Sequence, residues 1–252
     1  MGNREHLNID YKKHVEYLPS TKQALMERLQ QRFGKARGEE LWENTKRIYE
    51  SFVRELPYTG GSKNFMAHSL YDSIACFAYW EAMPGDQKET VEEFTQTVAL
   101  VFNGDTAGKK RNPEFFTANN RPLLKVVGGL LRIVFAPMNR MVDAGKWNNA
   151  WRVKINPDKP KEGLQVVLVG CPIVDFARKH GYMDLMPAMC NPDYESMPEF
   201  GIHLIRPKTV GMGYEICDYY LVGDRSKIAK QSSVRKDEKG FLVNAFDRGD
   251  SL

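Results

Sequence analysis

The residues best suited to chemistry lie in the last third of this 252-residue chain. Cys171, Cys190 and Cys217 are thiols there. Asp193 follows Cys190 across Asn191-Pro192 in the stretch AMCNPDYE. Asn-Pro is a turn signal, because proline fixes its own φ and pushes the preceding residue out of the α region. The spacing predicts a loop carrying both Cys190 and Asp193. Two chemistries suit the set. In one, a thiolate is a nucleophile, its population raised by a neighbouring base or cation. His203 and His180 are the nearby histidines, and Arg206 is the nearby cation. In the other, two or three thiolates (Cys171, Cys190, Cys217) and Asp193 hold a zinc ion, which lowers the pKa of a bound water. The C-x18-C-x26-C spacing is too open to specify a metal, and there is no C-x-x-C pair. Arg206 and Thr209, in RPKT, add a guanidinium that can grip the carboxylate of a small acidic substrate in bidentate fashion.

Each of these residues also has a plain reading. Cysteine is among the most buried residue types and often simply packs; Cys76, on an apolar helix, fits that reading. His6 and His14 read as solvated and His68 as packed on its helix. Arg206 reads equally as a surface residue of an edge strand, where Pro207 is tolerated. Phe65, Met66, Tyr219 and Tyr220 line either a pocket or an ordinary core. Strand alternation puts Cys217 on one face with Glu215 and Tyr219, and Asp218 on the other with Ile216 and Tyr220.

Positioning these groups requires a scaffold, and its elements are legible. STKQALMERLQQRFG, GEELWENTKRIYESFVREL, KNFMAHSLYDSIACFAYWEAM and ETVEEFTQTVALVFN each repeat apolar residues at helical spacing, with Ser20 and Thr21 as candidate caps of the first. Leu25, Leu29 and Phe33 make one stripe; Leu41, Thr45, Ile48, Phe52 and Leu56 make another. The third helix is apolar on more than one side, as a buried helix is. RPLLKVVGGLLRIVFAPMNRMVDAG is a fifth, which Gly128-Gly129 and Pro137 are expected to bend. After Trp147 the texture turns to short β-branched runs: WRVKINPD, GLQVVLVGCP, and HLIRPKTV with YEICDYYLV, the last two forming a hairpin through Gly211-Met212-Gly213. A short helix and a loop lie between these strand pairs. The expectation is an α+β fold, with a helical N-terminal part packed on a small antiparallel sheet in the C-terminal half. A single domain spans 1–223, with helices in 20–145 and the sheet in 150–223. The charged segment 224–252 is expected to be loose apart from GFLVNAF.

Bulk properties narrow the class. At 42% hydrophobic and 27% charged, the chain reads as an ordinary globular protein. Its net charge of +4 comes from basic residues that are spread rather than massed, so neither nucleic acid nor a membrane is an expected partner. No window approaches 18 uninterrupted apolar residues, and the polar start MGNREHLNID lacks a secretory h-region. Met1-Gly2 opens like a myristoylation signal, but His6 stands where Ser or Thr is needed. Four cysteines are too few and too dispersed for a disulfide framework. The expected setting is cytoplasmic, with a small-molecule substrate; nothing in the sequence indicates the oligomeric state.

In combination these elements resemble the L-2-amino-thiazoline-4-carboxylic acid hydrolase family. The resemblance rests on Cys171-Pro172, a short helix, Cys190-Asn191-Pro192-Asp193, Arg206-Pro207-Lys208-Thr209, Gly213 and Cys217-Asp218-Tyr219, in that order. Upstream, ELPYTGGSKNFM resembles the family's Gly-Gly-x-x-Asn stretch and brings in Asn64. The likeness is strongest over 171–223 and extends from about residue 20 to 223. It implies an enzyme that opens a 2-aminothiazoline ring with water, on a route to a carbamoyl-cysteine and then cysteine. It also implies that Cys190, Asp193 and Cys217 form a reactive or metal-binding cluster; His203, which starts a strand beside that loop, is a catalytic candidate on the residue reading alone. Cys171 would complete a ligand set, Arg206 would clamp the substrate carboxylate, and Thr209 and Asn64 would bind substrate. Two other readings stay open: a non-catalytic small-molecule-binding domain with a cysteine-bound structural metal, and a biosynthetic lyase or cyclase using the same pocket.

Overall fold

The computed structural model describes residues 18–104, 117–148 and 150–246. The N-terminal start, His6 and His14 lie outside the described residues. The chain forms two compact units. The first draws on Met1–Thr106, Lys146–Asn149 and Asp175–Pro192, the second on Ala107–Gly145, Ala150–Val174 and Asp193–Leu252. The fold is α+β, with helices through the N-terminal part and a small antiparallel sheet in the C-terminal half, as the sequence pattern predicts.

The first unit is built on α1 (Pro19–Phe33), α2 (Lys35–Arg54), α3 (Ala67–Ala82) and α4 (Val91–Asn103). α1 begins at Pro19, ahead of the expected Ser20-Thr21 caps, because the φ of proline already suits a first turn. The Thr21 hydroxyl instead donates to Asp72 Oδ1 at 2.7 Å. Leu25 and Leu29 of α1 and Leu41, Thr45 and Phe52 of α2 are buried, so the two stripes read from the sequence face the core. Each such leucine contributes about 1.5–3 kcal/mol on burial. α3 buries 11 of its 16 residues, which makes it the central helix of this unit. Thr90 and Glu93 form a reciprocal capping box at the start of α4, a device that stabilises a helix by about 1 kcal/mol. Beside it, the enclosed Glu89 carboxylate accepts from Arg28 Nε, the Tyr79 hydroxyl and Thr97 Oγ1, at 2.9, 2.9 and 2.9 Å. Arg32 Nη1 lies 3.1 Å away. A carboxylate this buried is tolerable because it is paired and hydrogen-bonded.

The second unit holds the sheet. β1 (Arg152–Ile155), β2 (Leu164–Val169), β3 (Ile202–Ile205) and β4 (Ile216–Gly223) form one antiparallel sheet in the order β1-β2-β4-β3. Leu168 lies opposite Cys217, Val166 opposite Tyr219, and Leu204 opposite Leu221. Opposed residues share a face, so Val166, Leu168, Leu204, Cys217 and Tyr219 point one way. His203, Ile205, Asp218, Tyr220 and Val222 point the other. On that second face Ile205 and Val222 are fully buried and pack with Ala229. A single long helix, α5 (Arg121–Asp143), backs β1 and β2. Gly128-Gly129 and Pro137 do not interrupt it.

Both outer edges of the sheet are closed by asparagine side chains. On β1, Asn139 of α5 donates to Val153 O at 2.7 Å and accepts from Val153 N at 2.9 Å. On β3, Asn244 donates to Leu204 O at 3.0 Å and accepts from Arg206 N at 2.8 Å. A primary amide presents one donor and one acceptor with the reach of a peptide group, so it serves an open edge as a one-residue strand would.

Asn244 lies in GFLVNAF, the stretch excepted from the loose segment, and that stretch holds β6 (Leu242–Phe246). The rest of the described segment, expected to be loose, forms α9 (Lys227–Gln231) and β5 (Ser232–Lys236), which pairs with β6 as a hairpin. Its charge pattern hid this, because the apolar side chains that anchor it are few: Ala229, Phe241 and Val243 are buried. Between β2 and β3 lie α6 (Pro172–His180), α7 (Met186–Cys190) and α8 (Asp193–Ser196).

Candidate active site

Asp193, Arg206, Cys217 and Tyr219 meet on the first face of the sheet, and the local backbone explains why. Arg206 follows β3 and continues its alternation, so it takes the side of Leu204, the side of Cys217 and Tyr219. Its guanidinium is fully buried. Nη1 donates to Asp193 Oδ2 at 2.6 Å. The guanidinium carbon lies 4.9 Å from the centre of the Tyr194 ring and 5.4 Å from that of Tyr219, so two aromatic rings hold the cation. The Tyr219 hydroxyl donates to the same Asp193 Oδ2 at 2.9 Å. The Tyr194 hydroxyl donates to Asn244 Oδ1 at 2.7 Å, the atom that also receives Arg206 N.

The Arg-x-x-Thr spacing also has a mechanical reason. Thr209 is buried, and its Oγ1 caps the short 3-10 turn Val210–Met212 by accepting from Met212 N. Gly213 closes that turn at φ 100°, a left-handed conformation that glycine adopts without a Cβ penalty. The turn aims Val210 N at Cys217 Sγ, 3.3 Å away. Thr209 thus shapes the site through the backbone, with its hydroxyl already engaged.

Electrostatics separate the groups. Burial raises the pKa of the Asp193 carboxyl, while the Arg206 charge and the hydrogen bonds from Tyr219 and Arg206 oppose the rise. Solvent still reaches 36% of the Asp193 side chain, which tempers that push. Burial raises the Cys217 thiol as well, opposed by the Val210 amide and by Arg206. Cys171 is pushed up to about 12, first by burial and then by Cys217. Burial similarly pushes Tyr194 up to about 12. Near neutral pH the site therefore holds protonated thiols beside a carboxylate that burial makes more basic than usual.

The remaining expected residues are held as follows. Cys190 ends α7 rather than lying on a loop, and it belongs to the first unit. Asn191 keeps an α conformation (φ −70°, ψ −31°) despite Pro192, so the Asn-Pro pair separates two short helices. Asn64 also belongs to the first unit. Its side chain donates to Thr59 O at 2.6 Å and accepts from Met66 N at 3.0 Å, holding its own loop. In that loop Gly60 sits at φ 105°, and a Cβ there would meet the Trp147 ring at 2.6 Å; this accounts for the Gly-Gly-x-x-Asn pattern. His203 lies on the opposite face from Cys217, with Nε2 2.6 Å from Ser232 Oγ. His180 stacks on Phe176 at 4.2 Å in an aromatic cluster of the first unit. His203 is therefore not placed as a base for Cys217.

The metal expectation is corrected. Among the described residues no three His, Cys, Asp or Glu side chains gather as a ligand set. Cys171, Cys190 and Cys217 do not make one. The described residues thus form no ligand set that zinc would fit.

Tyr194 and Asn244 were not legible as site residues. Tyr194 adjoins Asp193, which is a weak signal; Asn244 lies in the apolar stretch GFLVNAF, where nothing marks it as a site residue.

A family model for L-2-amino-thiazoline-4-carboxylic acid hydrolase matches residues 64–221, a span that holds Asn64, Cys190, Asp193, Arg206 and Cys217. No curated protein matches the chain, and no solved structure does.

Proposed function

Because the chain belongs to the L-2-amino-thiazoline-4-carboxylic acid hydrolase family, we propose that it opens a small, amidine-like ring acid with water, using Asp193 as the general base. The observation that carries this reading is the asymmetry at Asp193. Arg206 and Tyr219 both engage Oδ2, and the side chain remains 36% exposed. Oδ1 is then the oxygen that meets a water. The carbon between two ring heteroatoms is electrophilic because it already bears nitrogen and sulfur. Water attacks that carbon as Oδ1 takes one of its protons, the C=N pair moves onto the ring nitrogen, and Asp193 returns that proton to the nitrogen. The tetrahedral adduct then collapses: its hydroxyl becomes the carbonyl, the carbon–sulfur bond breaks, and the hydroxyl proton passes through Asp193 to the leaving sulfur. Arg206 orients Asp193 and keeps it ionised; Cys217 stays a neutral thiol packed beside the pair.

The test is turnover of 2-aminothiazoline-4-carboxylate by the full chain, followed as loss of ring absorbance and appearance of a carbamoyl-cysteine. Asp193→Asn is expected to lower kcat by about 10²–10⁴, and Cys217→Ser by less than about tenfold. A folded Asp193→Asn protein with wild-type turnover overturns the proposal. Loss of turnover in Cys217→Ser alone would move the role from water to the thiol.

A further inference from the structure

The outward face of α5 has no part in the proposed chemistry and has an unusual composition. α5 packs its inner side against β1 and β2 through Gly128, Phe135 and Met138. Its outer side carries Val126, Leu130, Ile133 and Val134, which are 59%, 56%, 71% and 52% exposed. These fall at i, i+4, i+7 and i+8, one stripe of a helix. Pro122 and Pro137 are exposed along the same side, and a Cβ at Gly129 would meet open space. By length and composition α5 could cross a membrane, and 17% of its most apolar window is buried. Its bonds to the sheet, through Asn139 to Val153 and Arg132 to Ile155 O, hold it along the protein surface instead.

Charge tells what would cover this stripe. From Arg121 to Val142 the helix has Arg121, Lys125, Arg132 and Arg140, and no Asp or Glu. Lys125, Arg132 and Arg140 are spaced by close to two turns each, so they line one flank of the apolar stripe. Arg132 also holds Ile155 O, and Arg121 pairs with Glu162. An apolar face with a basic border is the pattern of a helix lying in a membrane interface, where the side chains enter the acyl boundary and the cations meet anionic head groups.

A second copy of the chain fits less well. Between Pro122 and Met141 the stripe is about 28 Å long and about 10 Å wide. That is roughly 300 Å², against the roughly 800 Å² per partner of a stable interface. An antiparallel pairing would also set one basic flank against the other.

We propose that α5 docks this protein on an anionic lipid surface, its Val126–Leu130–Ile133–Val134 stripe in the interface and Lys125 and Arg140 at the head groups. This stands apart from the hydrolase reading, because no residue of the Asp193 site takes part.

The experiment is co-sedimentation of the full chain with phosphatidylcholine vesicles containing about 30% phosphatidylserine, and with phosphatidylcholine alone. The expected result is binding to the mixed vesicles, at least fivefold weaker on phosphatidylcholine alone and at 0.5 M NaCl. L130Q/I133Q is expected to lower binding at least tenfold while keeping the wild-type circular dichroism. K125E/R140E, which leaves the apolar stripe intact, is expected to lower it at least fivefold. Absence of wild-type binding to the mixed vesicles overturns the proposal. So does a wild-type dimer in solution that L130Q/I133Q converts to monomer, which would assign the stripe to a second copy.

Discussion

Asn244 links the C-terminal hairpin to the site, and its removal has a consequence that the structure lets one size. Asn244→Ala deletes three hydrogen bonds: to Arg206 N at 2.8 Å, Tyr194 hydroxyl at 2.7 Å and Leu204 O at 3.0 Å. Each is worth about 1 kcal/mol net, so the upper bound is about 3 kcal/mol. β3 is an edge strand and Asn244 is half-buried. Water can therefore replace part of what is lost, and about 2 kcal/mol is the expected cost. At 1.36 kcal/mol per factor of ten, that is roughly 30-fold in the local opening equilibrium. Native-state hydrogen exchange reads it directly. The Arg206 amide should exchange roughly 30-fold faster in Asn244→Ala, while amides of α3 in the first unit stay within twofold. The fork of Arg206 should then hold Asp193 less firmly, and kcat should fall more than KM rises. Asn244→Asp keeps an acceptor for Arg206 N and Tyr194 but cannot donate to Leu204 O, so its effect should be intermediate. An Arg206 amide protected equally in wild type and Asn244→Ala would refute the edge-capping account.

Two further outcomes follow from the charges. Tyr219→Phe removes a hydrogen bond that lowers the Asp193 pKa, so the acid limb of the kcat/KM profile should move to higher pH; a limb that stays or moves down counts against Asp193 as the base. Burial holds the folded His203 pKa below its ordinary 6.5, with Asp224 opposing. The unfolded chain then takes the proton first, so stability should be lost as pH falls below about 6.5. His203→Gln should flatten the thermal-melting profile over that window, and an unchanged slope would show that His203 is not its source.

The helices were legible because each carries its own period. Leu25 and Leu29, and Leu41, Thr45 and Phe52, repeat at helical spacing, and all five are buried. The strand alternation of YEICDYYLV separated Cys217 and Tyr219 from Asp218 before any fold was known, and the register bears that out. The α+β class followed from those local signals. The family motif followed from order and spacing, because Thr209 and Gly213 shape one turn that reaches Cys217 eight residues after Thr209.

Side-chain partners over long separations were not legible. Asp193 was read with its neighbour Cys190, yet its bonds run to Arg206 and Tyr219, 13 and 26 residues away. Asn244 reaches back 38 residues to Arg206 N. Such pairs leave no period in the chain, because they depend on which strand edge remains open once the sheet has formed. Residue type suggests a nucleophile or ligand, but burial bears on the proton, and here it raises the Cys171 and Cys217 thiols, which no neighbouring residue in the sequence indicates. The sequence by itself determined the elements, their order and the turn around Thr209, since those depend on neighbours within a few residues. Only the tertiary structure decided that the Asp193 carboxylate is held by an arginine set between two tyrosines, because burial and edge pairing are properties of the folded surface.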